Sequence, residues 1–122
     1  MSLKEIAIDF LTLVVKGEAK IAFNLYVSTE FIHHNPWFPA DANSLMCAME
    51  TDAINQPKKS FELISVIEER NLVAVHSRVV LKNSLKEIAL AHFFKMENFK
   101  IVELWDIGQE APDITINTKG MF

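Results

Sequence analysis

The spacing of apolar residues changes once along this chain, near Ser60, and that change governs what it can fold into. Upstream, apolar side chains recur every three to four residues, as on one face of a helix. Downstream, β-branched and aromatic residues run in short stretches broken by polar pairs, the mark of strands. Helices followed by a block of strands imply an α+β domain, with the helices gathered on one face of a curved antiparallel sheet.

Ser2 and Glu5 have capping-box spacing, and Leu3, Ile6, Ala7, Phe10 and Val14 share one face of the helix that follows. Gly17 suits the C-terminal cap of that helix. Ala19, Ala22, Phe23 and Tyr26 stripe a second helix, and Glu30 to His33 reads as a short extended piece. Two prolines exclude a helix interior from His34-Asn35-Pro36-Trp37-Phe38-Pro39. Asp41 can cap a third helix, with Ala42, Leu45, Met46, Met49 and Ala53 on its apolar side, ending before Pro57. Strands are expected over Phe61 to Glu68, Leu72 to Lys82, Glu87 to Met96 and Ile101 to Gly108, joined as antiparallel hairpins. The later strands carry large apolar residues on both faces. One face meets the helices; the other calls for a partner, and a homodimer through the sheet is the economical one.

The 122 residues fit one domain, residues 1–122, and with half of them hydrophobic and nine of them Phe, the core has room for a cavity. A net charge of −4 and a single adjacent basic pair, Lys58-Lys59, argue against nucleic acid as a partner. The one cysteine, Cys47, forms no disulfide within the chain, and its neighbours Leu45, Met46 and Met49 read it as a buried helical thiol. Glu5 and Asp9 interrupt the N-terminal apolar residues, unlike a signal peptide, and no stretch approaches the ~20 apolar residues of a membrane span. The expected compartment is the cytoplasm, with no membrane contact.

The polar residues inside the strands carry the chemistry. His76 lies between Val75 and Ser77, and His92 between Ala91 and Phe93. Such side chains are hydrogen-bonded in a core or line a cavity. A three-residue loop of Asn83-Ser84-Leu85 pairs Lys82 with Lys86 and sets His76 opposite His92, with Arg78 opposite Leu90. This is the favoured register; a two-residue loop puts the two histidines on opposite faces. In the next hairpin, a loop of Glu97-Asn98-Phe99 places Asp106 opposite Leu90, on the His92 side. A two-residue loop there substitutes Glu103 and Trp105, and the sequence leaves that choice open. In the favoured registers His76, Arg78, His92 and Asp106 line one concavity, a set suited to proton transfer. Trp37, in the aromatic loop with His34 and Asn35, either packs or touches a ligand. No metal is expected: HExxH is absent, and the adjacent His33 and His34 diverge in an extended segment. Only three glycines leave no phosphate-cradling loop.

Three blocks of the chain resemble a known family. His33-His34-Asn35-Pro36 with Phe38-Pro39 and Ser44-Leu45-Met46 is similar to the first block of SnoaL-like proteins, in the nuclear-transport-factor-2-like superfamily. Leu72 to Ser77 is similar to the second, and His92-Phe93-Phe94 with Ile101 to Gln109 to the third. The closing Asn117 to Phe122 resembles a subgroup of SnoaL-like aldol-condensation enzymes. The resemblance implies a cone-shaped α+β barrel over three N-terminal helices, a pocket in its wide end, and a homodimer through the sheet. Polyketide cyclases of this family close rings by intramolecular aldol chemistry, with a carboxylate acid/base and no metal or organic cofactor. Carried over, that role falls to Asp106, with His92 and His76 as catalytic partners and His34 and Asn35 in the pocket. Trp37, Arg78 and Trp105 complete the substrate contacts. The expected function is a cofactor-free acid/base enzyme acting on a small apolar carbonyl compound, as an aldol-type cyclase, isomerase or dehydratase (lyase). The alternative is a non-catalytic domain that shelters a small hydrophobic molecule.

Overall fold

The capping box read from the sequence opens the fold. The Ser2 hydroxyl accepts the Glu5 N–H, and the Glu5 carboxylate accepts the Ser2 N–H, each at 3.1 Å. In the computed structural model, which describes Met1–Phe122, this cap starts α1 (Leu3–Val15). Gly17 takes a φ of 87°, a left-handed turn that costs glycine little, and the chain enters α2 (Ala19–Tyr26) at once. β1 (Val27–His34) follows, then α3 (Ala42–Asn55), whose first turn is held by Asp41 accepting the Ser44 N–H at 2.8 Å. Cys47 is exposed on α3, contrary to the buried thiol expected, because Leu45 alone of that helix is sealed from solvent. No helix is long and apolar enough to cross a membrane.

Four strands follow: β2 (Lys59–Glu69), β3 (Leu72–Leu81), β4 (Lys86–Glu97) and β5 (Lys100–Glu110). The sheet order is β1-β5-β4-β3-β2. Those four pair antiparallel, as expected, but β1 lies parallel to β5, so the curved sheet is mixed. A parallel pair needs a long crossover, and everything from α3 to β4 supplies it. The helices cover one face. There Phe10 is fully buried against Phe23 and Phe94, at ring separations of 5.4 and 5.8 Å, in a core shared with Val73, Met96, Ile101 and Leu104.

Both informative hairpins differ from the registers favoured above. Between β3 and β4 the loop has four residues, Lys82 to Leu85, with Leu85 at a φ of 57°. Leu81 therefore pairs with Lys86, His76 with Ala91, and Val75 with His92. His76 and Arg78 turn to the outer face, away from His92. The reason lies in packing: Val73, Val75, Ser77 and Val79 suit the covered face, whereas Arg78 finds Glu87 and Glu62 outside. Between β4 and β5 the turn is tight, Asn98-Phe99, with both residues at positive φ (51° and 60°) as in a type I′ hairpin. A β-bulge follows: Met96 pairs with Ile101 but Lys95 with Glu103, leaving Val102 as an extra residue. That bulge reverses the alternation beyond it. Leu104 and Asp106 turn inward, and His92 stands directly opposite Asp106.

Candidate active site

Asp106 sits where three hollows adjoin, of about 500, 420 and 370 Å³, and is the one residue lining all three. Its carboxylate is held from one side only. His33 Nε2 and Asn35 Nδ2 both reach its Oδ1 at 2.9 Å, and Oδ2 makes no hydrogen bond. Strand β1 supplies His33: Phe31 points into the core, so the alternation of a strand brings His33 in beside it. The His33 side chain is fully buried, stacked 6.4 Å from Phe31 and tilted against Phe38 at 5.7 Å. Its backbone N–H binds the Ala40 carbonyl at 2.8 Å, which pins the loop that presents Asn35.

Local bonds also settle the orientation of Asn35. Its Oδ1 accepts the Trp37 N–H at 2.9 Å, so the amide NH₂ is the end turned to Asp106. A carboxylate oxygen accepts, so His33 carries its proton on Nε2; its Nδ1 is buried without a partner.

His92, across from Asp106, lines the same hollow and stacks 5.8 Å from Phe94. Its Nδ1 is likewise buried and unpartnered. Burial pushes its pKa down to about 4; the Asp106 charge opposes this and the nearby His33 reinforces it. His92 is therefore a neutral imidazole at pH 7, able to donate one hydrogen bond without carrying charge.

This has a consequence for stability. The folded protein resists protonating His92 while the unfolded chain accepts a proton near the ordinary value of 6.5, so the unfolded state binds more protons between those limits. Stability from this group is complete above pH 6.5 and is lost as pH falls toward about 4. The amount is on the order of 3 kcal/mol. Urea unfolding of wild type and His92→Gln at pH 7 and pH 4.5 checks it: the wild type should lose the extra stability and the variant should not. Parallel losses in both proteins would refute the assignment.

The residues named from sequence separate into two groups. Asp106, His92 and Asn35 converge, and Trp37, mostly exposed, flanks the smallest hollow beside Asn35. His34 and Trp105 do not: strand alternation puts them on the outer face, where His34 bonds Glu103 at 2.5 Å and stacks on Trp105 at 4.9 Å. His76 lies out there too, stacked against Phe122, and Arg78 packs its guanidinium 5.2 Å from the same ring. The inward histidine of the pair is His33, which the sequence reading passed over in favour of His34. Its signal was the large apolar Phe31 two residues earlier.

No family model matches the chain, and no curated protein matches it in sequence. Solved structures do match its fold. A SnoaL-like polyketide cyclase from Agrobacterium tumefaciens superposes with a TM-score of 0.74 at 14% identity, over 89% of this chain and 92% of that one. An NTF2-like protein from Cytophaga hutchinsonii gives 0.72 at 16% identity, over 89% and 91%. AclR, a proposed hydroxylase of Streptomyces galilaeus, gives 0.75 at 15% identity, over 88% of each chain. The chain has the nuclear-transport-factor-2-like fold that SnoaL-like proteins share.

Proposed function

We propose that this protein is an acid/base enzyme acting on a small apolar carbonyl compound, with Asp106 as the base. The observation that carries the reading is that Asp106 lines all three hollows with an Oδ2 that makes no hydrogen bond, while His33 and Asn35 hold the other oxygen. A proton leaves the carbon alpha to the substrate carbonyl for Oδ2. The C–H electron pair becomes an enolate, and the N–H of neutral His92 donates to the developing oxyanion. From there the enolate attacks a second carbonyl, as in aldol closure, or regains a proton elsewhere, as in isomerisation. His33 and Asn35 position the carboxylate. A polyketide cyclase among the proteins of like fold supports this choice of chemistry by analogy.

The test is deuterium exchange. Small cyclic ketones incubated with the protein in D₂O should exchange their alpha protons faster than in buffer, followed by proton NMR. No acceleration with any ketone that binds would reduce the protein to the alternative, a binding domain. The lone free thiol and the absence of a spanning helix accord with a cytoplasmic location in this reading.

The outer face of the sheet is the proposed homodimer surface. Ile67, Phe93 and Ile107 are well exposed there, an apolar strip that water leaves poorly covered. Sedimentation should give twice the chain mass for wild type and the single-chain mass for Phe93→Glu with Ile107→Lys. A monomeric wild type would remove this element.

A further inference from the structure

The hollow that carries His92 has a rim of different chemistry. Lys59, Gln56, Asp52 and Glu110 line it there, joined to His92 and Asp106 by apolar walls such as Leu11, Phe61 and Ile88. Lys59 opens β2, and its side chain is only 10% exposed. A buried ammonium is costly unless paired. Its one partner is Asp52 at the end of α3, whose own side chain is 54% exposed. An ammonium has three donors, so two remain unclaimed. Glu110, the other acid on this rim, is turned to Lys86 at 3.3 Å.

These features make Lys59 a cation whose counter-ion is replaceable. Asp52, more than half exposed, can return to water at little cost, whereas the Lys59 side chain is held mostly out of it. We propose that this rim takes the anionic end of a ligand, a carboxylate or its equivalent. The apolar body of that ligand fills the hollow, and its carbonyl reaches Asp106. Asp52 swings outward as the ligand anion replaces it, and the Lys59 ammonium donates to the same polar end. The inference rests on the hollow being the substrate site and narrows the substrate to an apolar carbonyl compound with an acidic terminus.

Two fluorescent probes with one skeleton test it: anilinonaphthalene sulfonate, which is anionic, and N-phenylnaphthylamine, which lacks the sulfonate. Wild type should bind the sulfonate about tenfold more tightly, the scale of one charge-assisted contact. Lys59→Met should bring the two affinities within about twofold by weakening the sulfonate alone, and Lys59→Arg should keep the preference. Asp52→Asn, on an exposed side chain, should tighten sulfonate binding, and it serves if Lys59→Met folds poorly. The His92 ring resonances should move with both probes, placing them in this hollow. Equal affinities in wild type, a preference that survives Lys59→Met, or sulfonate binding without a His92 shift would each overturn the proposal. Neither probe has a proton alpha to a carbonyl. A failure of deuterium exchange with the probe preference intact therefore counts against the enzyme reading alone.

Discussion

Asp106→Asn should slow alpha-proton exchange by about 10²–10⁴-fold, the range a positioned general base contributes. The substitution keeps the size and shape of the side chain. His33 and Asn35 both present donors to one oxygen, so the new amide must offer them its carbonyl. Its NH₂ then occupies the place of Oδ2. A donor that cannot take a proton replaces the base at the hollow, while the surrounding bonds stay satisfied. Stability should change little, which separates loss of chemistry from loss of fold. Proton NMR of a bound ketone in D₂O reads the rate, and circular dichroism reads the fold. Equal exchange rates in the two proteins would end the assignment of Asp106.

Inserting one alanine between Glu103 and Leu104 should be at least as damaging, and for a reason found only in the sheet. Val102 is the extra residue of the β5 bulge, and every side chain beyond it owes its direction to that insertion. With one residue more, Leu104, fully buried against the helices, would turn outward with Asp106, and Trp105 and Ile107 would turn in. Removing Leu104 from the core costs about 2–5 kcal/mol. Stranding the buried His33 side chain adds about 1–3 kcal/mol. Denaturant unfolding should show a deeply destabilised protein, and exchange activity should vanish with Asp106 facing away. An insertion variant with wild-type stability and activity would show that the strand re-registers freely and that strand alternation beyond the bulge does not orient the site.

The element boundaries were legible because each had local chemistry behind it. The Ser2–Glu5 box, the Asp41 cap and Gly17 lie where the helices begin or end, and each acts within four residues of its own position. The strands were legible from β-branched and aromatic runs. The direction of each polar side chain was not, because one residue more or less in a turn inverts a whole strand. His76 was lost to a loop one residue longer than supposed. Asp106 was placed on the correct face by a three-residue loop, whereas a two-residue turn and a bulge together achieve it. Parity survived although both parts of the count changed. His33 was readable from Phe31, but only once β1 was known to join the sheet rather than stand alone.

Helix positions, the helical and extended halves, and the histidines and carboxylate worth watching all follow from residues close together in the chain, where propensity and capping act. Which of those side chains meet was decided in three dimensions. The helix-covered face accepts valines and rejects Arg78, and β1 docks along β5 across some seventy residues of sequence, bringing His33 and Asn35 to Asp106. Burial energy chooses between registers that local preferences leave nearly equal, and burial exists only after the sheet and helices have closed on each other.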